Sequence, residues 1–288
     1  ILKKKKFIFS NKMKETEQKN ATLKSKPDDA NTNLPEEYQN ATFDDYNNQL
    51  EEIEKGKKES LKYTIGDLEP ASVIKEEYVT NASKETSELV EIYEYIRRMR
   101  KDGNCFYRGF TLCVFERMLL DKEFAKIMHK TFQDSTIAVI KSGMEKDVID
   151  FFHDTLMDTS TKIINNKLSH DNLVSLMRNE QECNAIVWYM RAITSAHLQL
   201  HESDFAPYLP FEQPMSSYCR QFVEPTQVEA DNIHIMALTQ ALNVAVQVNY
   251  IDSRVSYRVK IPDHCDSVVA HFLYRPGHYD VVYLSRKT

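Results

Sequence analysis

The sequence predicts an α+β fold in which a helical part is followed by a short, mainly antiparallel sheet. Apolar residues recur at helical spacing from residue 86 to about residue 243. Runs rich in β-branched and aromatic residues follow close to the end of the chain. Helices and strands that are segregated along a chain are typical of the α+β class. With 288 residues, of which 42% are hydrophobic, the chain is long enough to form a sizeable core.

The composition argues against several classes of function. A net charge of −6 gives no global sign of a nucleic-acid partner, and no apolar run approaches the length of a membrane span. The five cysteines are widely spaced and include no Cys-x-x-Cys pair, which argues against a disulfide framework and against a zinc site. Free thiols indicate a reducing compartment, so we expect a cytoplasmic protein. The lysine run at residues 3–6 leaves a nuclear location open as well.

Residues 1–43 are predicted to be a disordered tail. This segment is rich in Lys, Asn and Glu and contains few apolar side chains. Such a composition does not bury enough apolar surface to offset the conformational entropy that is lost when a chain becomes ordered.

The next segment, residues 44–71, contains a candidate partner-binding helix. Tyr46, Leu50 and Ile53 fall at positions i, i+4 and i+7, which places them in one narrow apolar stripe on an otherwise charged helix. A stripe of this width is too thin for a core helix and suits a helix that docks on a partner. A surface helix packed on its own domain fits the pattern equally well.

Residues 72–288 are predicted to form the folded domain. Periodicity predicts helices over residues 86–98, 105–120, 135–141, 145–157, 172–178, 183–201 and 231–243. Strands are predicted over residues 244–250, 257–261, 268–274 and 279–284. We expect Asp231 to cap the last helix at its start and Asn243 to end it.

A cysteine lies directly after a turn and at the start of a predicted helix. The turn is formed by Asp102, Gly103 and Asn104, and Cys105 follows it. A thiol is an effective nucleophile only as a thiolate, and the unpaired N–H groups and dipole of a helix N-terminus favour the negative charge. Exposed N–H groups beside it can also bind the oxyanion of a tetrahedral intermediate. We therefore predict that Cys105 is a nucleophile, and that Cys113, two turns further along the apolar face, is a core residue.

The end of the chain offers a base for this nucleophile. A turn at Pro276 and Gly277 separates two strand-like runs, so His278 and Asp280 open the last predicted strand at positions i and i+2. Side chains at this spacing share one face, with roughly 6–7 Å between their Cα atoms. The Asp280 carboxylate can therefore reach the imidazole and select its tautomer.

The other histidines give no sign of a metal or cofactor site. His197 and His201 have the four-residue spacing of metal ligands on a helix, but the glutamate of an H-E-x-x-H motif is absent and no third ligand is evident. We interpret them as a surface pair and predict neither a metal nor a cofactor.

The two motifs together resemble the ovarian-tumour-type cysteine deubiquitinases and, within that group, the otubains. The resemblance is carried by residues 102–108 (DGNCFYR) and 275–280 (RPGHYD), which occur in the order found in the family. Residues 208–252 are also similar to the otubain core. The resemblance implies a papain-like fold for the catalytic domain at residues 72–288.

The resemblance also assigns roles to individual residues. It implies that Cys105 is the nucleophile, that His278 is the general base and that Asp280 orients the histidine. Asp102 matches the acidic residue that the family keeps in the nucleophile loop, where it helps to form the oxyanion site.

The function implied by the resemblance is that of a deubiquitinating thiol hydrolase. Its substrates would be isopeptide bonds in polyubiquitin, in the chain type that marks proteins for the proteasome. In otubains the segment before the catalytic domain contacts the proximal ubiquitin, which makes Tyr46, Leu50 and Ile53 candidate ubiquitin contacts. The alternative is a non-catalytic role, the binding and inhibition of ubiquitin-conjugating enzymes, for which otubains are also known.

Overall fold

The described part of the protein is built on one six-stranded sheet. The computed structural model describes residues 61–77, 83–209, 212–251 and 256–285. The strands are β1 (Ile65–Pro70), β2 (Tyr93–Met99), β3 (Ala245–Ile251), β4 (Ser256–Ile261), β5 (Val268–Arg275) and β6 (His278–Leu284). They lie in the order β1-β2-β6-β5-β3-β4. Strands β3 and β5 are parallel, and the other neighbouring pairs are antiparallel. The predicted α+β class and mainly antiparallel sheet are confirmed.

The helices of the described chain lie before and between these strands. In chain order they are α1 (Val73–Glu77), α2 (Ser83–Ile92), α3 (Cys105–Leu120), α4 (Lys122–Lys141), α5 (Lys146–Ile164), α6 (His170–Arg178), α7 (Glu180–Leu200), α8 (Glu202–Phe205), α9 (Met215–Tyr218) and α10 (Asn232–Ala241). Helix α3 has the predicted bounds, and the other helices predicted after residue 105 all overlap an observed one. Helix α4 starts earlier than predicted because Asp121 accepts hydrogen bonds from the N–H groups of Glu123 and Phe124. In the described chain no helix combines the length and the apolar character needed to cross a membrane.

The helix predicted over residues 86–98 is wrong in its second half. Helix α2 ends at Ile92, and β2 begins at Tyr93. The apolar residues Leu89, Tyr93 and Ile96 do share one buried cluster, as the helical pattern requires. Tyr93 and Ile96, however, reach that cluster from a strand that is paired on both sides, with β1 and with β6. Long-range pairing therefore overrides a local period that is too short to exclude a strand.

The segment 44–71 is corrected in the part that the structure describes. Residues 65–70 form β1, a strand paired with β2, rather than a stretch of helix. Because β1 and β2 precede the long helices, the predicted order of helices first and sheet last is also wrong. Residues 1–60, with the predicted tail and the Tyr46, Leu50 and Ile53 stripe, lie outside the described residues.

Helix α3 runs through the centre of the domain that the structure describes. Nearly all of its residues are buried, including Phe106, Phe110 and Phe115, which is the pattern of a helix enclosed on all sides. It packs against β5 and β6 and against the helices α4 to α7. Gly109 makes the approach to the sheet possible, since a Cβ atom there would lie 2.8 Å from a ring carbon of Phe272. This packing holds the first residue of α3, Cys105, against the end of the sheet.

The last helix follows the predicted capping. The Asp231 carboxylate accepts a hydrogen bond from the Asn232 N–H, and the His234 ring accepts one from the Asp231 N–H. Asn243 adopts the left-handed conformation just beyond the helix, with φ at 52°. A well-defined start and stop for α10 sets the entry of the chain into β3.

Replacing Gly109 with alanine tests the contact between α3 and the sheet. The added Cβ would lie 2.8 Å from both Phe272 Cε1 and Val281 Cγ2. We expect Gly109→Ala to lower the free energy of unfolding by up to about 2 kcal/mol, because an overpacking cost of about 1–3 kcal/mol outweighs the gain of about 1 kcal/mol in helix propensity. Denaturant unfolding measures this loss.

The double variant Gly109→Ala, Phe272→Leu is the control for that experiment. A leucine is smaller than the phenylalanine ring and vacates the space that the new Cβ needs. The double variant should therefore lose less stability than the sum of the two single losses. Additive losses would show that the two groups do not compete for space.

Candidate active site

The candidate nucleophile is placed by the start of a helix. Cys105 is the first residue of α3, and the turn before it contains Gly103 at a φ of +76°, a conformation that favours glycine. The N–H groups of the first helical turn have no carbonyl partner within the helix. Cys105 is buried, with 2% of its surface exposed. The helix start that the sequence predicts at this cysteine is therefore observed.

Burial works against ionisation of this thiol. Desolvation raises the pKa of Cys105 to about 12, and the negative charges of Glu229 and Asp280 act in the same direction. A hydrogen bond with the Tyr279 backbone and one with the Phe106 backbone oppose the rise but do not cancel it. The helix start does lower the pKa of this thiol, through the hydrogen bond with the Phe106 backbone, but desolvation outweighs this contribution and the net pKa is raised. The thiol is protonated here and needs a base to take its proton.

The candidate base is His278, the first residue of β6. Its Nε2 atom lies 2.8 Å from Asp280 Oδ1, so a protonated Nε2 donates to the carboxylate. The other ring nitrogen, Nδ1, is buried and has no hydrogen-bond partner within the described chain. The Cys105 sulfur is hydrogen-bonded to the backbone of Tyr279, the residue between His278 and Asp280. Cys105, His278 and Asp280, which the sequence predicts as site residues, therefore lie close together. The unshared electron pair on Nδ1 is the group available to accept the thiol proton.

Asp280 is held on both carboxylate oxygens. Oδ1 accepts from His278 and from the Met99 backbone N–H at 2.8 Å. Oδ2 accepts from Arg98 at 3.2 Å and from Arg275. Burial by itself would raise the pKa of this fully buried carboxyl, but His278 first, and then the two guanidinium groups, hold it below its ordinary value. Asp280 is therefore ionised, and its contacts leave the imidazole little freedom to turn.

Asp102 shapes the turn before the nucleophile. Its carboxylate accepts from Arg108 at 2.8 and 2.9 Å, from Arg100 at 2.9 Å and from the Asn104 N–H at 3.1 Å. Burial favours a higher pKa for Asp102, but the bond and charge of Arg108 bring it below the ordinary value. The carboxylate thus fixes the backbone that precedes Cys105. A contribution of Asp102 to an oxyanion site remains a prediction.

All five cysteines are free thiols. Cys113 is buried in the core, as predicted, and burial raises its pKa well above the ordinary value.

His197 and His201 stack with ring centres 4.2 Å apart. Within the described residues, no group of three or more His, Cys, Asp or Glu side chains is arranged to hold a metal ion.

Comparison with known proteins agrees with this arrangement. The model of the family "Peptidase C65 Otubain" matches residues 57–284. The ubiquitin thioesterase OTUB1 of Homo sapiens is 32% identical over 218 residues, which cover 74% of this chain and 80% of that protein. The ubiquitin thioesterase otubain-like protein of Caenorhabditis elegans is 29% identical over 234 residues, which cover 78% and 82%. The chain belongs to the otubain family.

Solved structures lead to the same family. A ceOTUB1 chain in a complex with ubiquitin aldehyde and UBC13~Ub matches with a TM-score of 0.75 and 29% identity, over 82% of this otubain and 99% of that chain. The resemblance to otubains that the sequence motifs carried is therefore confirmed, and with it the papain-like class of fold. The family match begins before the predicted domain start at residue 72 and includes β1.

In this otubain, sequence reasoning missed Arg191, which holds the turn before Cys105, and the role of the Asn104 side chain in the same contact. The Arg191 guanidinium is buried and donates to the Asn104 side-chain oxygen at 2.8 Å and to the Gly103 carbonyl at 2.9 Å. It also donates to the carbonyl of Val223, at the end of a π-helical turn, at 2.9 Å, and to that of Val228, on the loop that follows, at 2.6 Å. The signal in the sequence was an arginine within the apolar run of α7. Only the fold shows which loops that arginine joins.

Asn104 is the residue through which the two loops meet. Its side-chain oxygen accepts from Arg191 twice and from the backbone N–H of Gln227 at 3.2 Å. The loops are so close that a Cβ at Gly103 would lie 2.3 Å from the Gln227 carbonyl carbon. The turn before Cys105 is therefore held rigidly against a neighbouring loop.

Substitution of Asn104 tests this junction. Asn104→Ala leaves the buried Arg191 guanidinium and the Gln227 amide with one acceptor fewer, so we expect the free energy of unfolding to fall by about 1–3 kcal/mol. Asn104→Asp keeps an oxygen in the same place and should lose less. Denaturant unfolding of both variants decides the point, since equal losses would contradict a role for the acceptor.

Proposed function

We propose that this otubain is a cysteine-type deubiquitinase that hydrolyses isopeptide bonds in polyubiquitin. The observation that carries the proposal is the buried pair of His278 and Asp280, in which Nδ1 of His278 has no hydrogen-bond partner within the described chain. This pair lies beside Cys105, the first residue of α3. Support also comes from relatives named ubiquitin thioesterases, which the chain matches over most of its length. Chains that mark proteins for the proteasome remain the proposed substrates.

The proposed reaction uses the chain's own groups and needs no cofactor. His278 Nδ1 takes the proton of the Cys105 thiol, and the thiolate attacks the carbonyl carbon of the C-terminal glycine of ubiquitin. The oxyanion that forms lies next to unpaired N–H groups at the start of α3, which stabilise it. The imidazolium then gives its proton to the departing lysine amine. The acyl group of ubiquitin remains on Cys105 as a thioester. In the second half, His278 removes a proton from water and the hydroxide attacks the thioester carbonyl. The C–S bond then breaks, ubiquitin is released with a free carboxyl group, and the thiolate takes the proton back from the imidazolium, which restores the thiol.

A second proposed function is the binding of ubiquitin-conjugating enzymes. The structural relatives that favour it are ceOTUB1 in a complex with UBC13~Ub and an h/ceOTUB1 chain in a complex with UBCH5B~Ub. This function requires no nucleophile. A protein without Cys105 should therefore still bind a conjugating enzyme that carries ubiquitin and slow the transfer of that ubiquitin.

The assignment of the nucleophile is tested with a ubiquitin that carries a C-terminal electrophile. We expect covalent labelling of the wild type, loss of labelling in Cys105→Ala, and full labelling in Cys113→Ala. The matched control is informative because both thiols are buried, but only Cys105 lies beside the His278 and Asp280 pair. Labelling that mass spectrometry maps to another cysteine would overturn the assignment.

The Tyr46, Leu50 and Ile53 stripe is proposed to bind the proximal ubiquitin of the substrate. Deleting residues 1–60, which leaves β1 intact, should slow the cleavage of di-ubiquitin and leave labelling by a mono-ubiquitin electrophile almost unchanged. The reason is that the electrophile occupies only the distal site, whereas placement of the lysine uses binding energy from the second ubiquitin.

Point substitutions refine that experiment. Replacing Leu50 and Ile53 with serine should reproduce most of the loss, since each buried aliphatic side chain contributes about 1.5–3 kcal/mol. If the deletion lowers both rates equally, the segment supports the fold. If neither rate falls, the catalytic domain selects its substrate without the stripe.

A further inference from the structure

Asp280 belongs to a ring of four charged side chains, which it enters through its Oδ2 atom. Arg98 donates to Asp280 Oδ2 at 3.2 Å and, with its other terminal nitrogen, to Glu77 Oε1. Arg275 donates to Asp280 Oδ2 and, at 2.8 Å, to Glu77 Oε2. Each arginine therefore bridges the same two carboxylates. The proposed reaction uses none of the outer three members, Glu77, Arg98 and Arg275.

These four residues come from separate parts of the fold. Glu77 ends α1, Arg98 lies on β2, Arg275 ends β5, and Asp280 lies on β6. Exposure rises outward through the ring, because the Asp280 side chain is fully buried while that of Glu77 is 37% exposed. The ring is thus a continuous path of ion pairs from the candidate catalytic carboxylate to the protein surface.

Glu77 balances charge within this ring. The two guanidinium groups and the two carboxylates of the ring sum to no net charge. Each arginine is attracted to both Asp280 and Glu77. Without the Glu77 carboxylate, each arginine would lose one of the two carboxylates that it bridges. Their attraction for Oδ2 would then compete more strongly with the hydrogen bond between Oδ1 and His278 Nε2.

We propose that Glu77 is a positioning residue that acts on the active site through Arg98 and Arg275. By holding the outer side of both guanidinium groups, Glu77 sets the plane of the Asp280 carboxylate and keeps Oδ1 on the imidazole. This inference rests on the proposed function, because it takes His278 and Asp280 as the base and its orienting residue. It adds a residue that no sequence motif indicated.

A matched pair of charge-neutral variants tests the role. Glu77→Gln removes the balancing charge, and Glu76→Gln removes the same charge one residue earlier, from an exposed side chain for which the described chain shows no ion pair. With a fluorogenic amide of ubiquitin as substrate, we expect Glu77→Gln to lower kcat by about two- to tenfold and to change KM by less than about twofold. Glu76→Gln should behave as the wild type. Equal kinetics of the two variants would overturn the proposal, as would a change in KM alone.

A double-substitution cycle shows whether Glu77 acts through Asp280. In an Asp280→Ala background, Glu77→Gln should cause no further loss of kcat, because the carboxylate that it positions is gone. Asp280→Asn, which keeps the side-chain shape, replaces Asp280→Ala if the alanine variant does not fold. An undiminished effect of Glu77→Gln in that background would show a general effect on folding and overturn the proposal.

The outcomes also separate this inference from the proposed function. A wild type that neither cleaves ubiquitin substrates nor reacts at Cys105 would refute the function itself. An active wild type, slowed by Asp280→Ala but not by Glu77→Gln, would leave the function intact and refute only the role of Glu77.

Discussion

The buried carboxylate of Asp280 is the group on which the rest of the site depends. An ionised carboxylate is costly to bury unless charges and hydrogen bonds compensate it, and here β2 supplies Arg98 and the Met99 amide, β5 supplies Arg275, and β6 supplies His278. That compensation is available only because β2, β6 and β5 are neighbours in the sheet. The same contacts that make the burial tolerable also orient the imidazole. The same contacts therefore serve both the stability of the sheet and the geometry of the candidate base, His278.

The candidate nucleophile, Cys105, is subject to two opposing physical effects. A helix N-terminus stabilises a nearby anion by about 0.3–2 kcal/mol. The rise in the pKa of Cys105 from 9.0 to about 12 corresponds to about 4 kcal/mol against the thiolate, so desolvation is the larger effect. The helix start thus presents the sulfur and its neighbouring amides in a fixed direction, while ionisation depends on a base. In this structure the buried Nδ1 atom of His278 is the available acceptor.

Prediction from sequence succeeded where the signal is local. The bounds of α3, the capping of α10 and the four late strands followed from apolar spacing, turn residues and β-branched runs over fewer than twenty residues. Prediction failed for β2, where Tyr93 and Ile96 fit a helical period, and for β1, whose six residues carry only a weak strand pattern. In both cases pairing with strands that are distant in sequence decides the conformation, because β-structure is stabilised across strands and not along them.

The sequence by itself determined the local placement of the candidate site residues: a thiol at a helix start, and a histidine and an aspartate two residues apart on one strand face. It also determined the family that these motifs mark. Those features depend on neighbouring residues, and backbone geometry places such residues without help from the rest of the chain. Only the tertiary structure decided what surrounds them. Arg191 meets Asn104 across 87 positions, and Arg98 meets Asp280 across 182. Contacts at such separations form only when the whole core packs. Burial is likewise a property of that packed core alone, and it is burial that raises the pKa of Cys105 and makes the Asp280 ion pairs necessary.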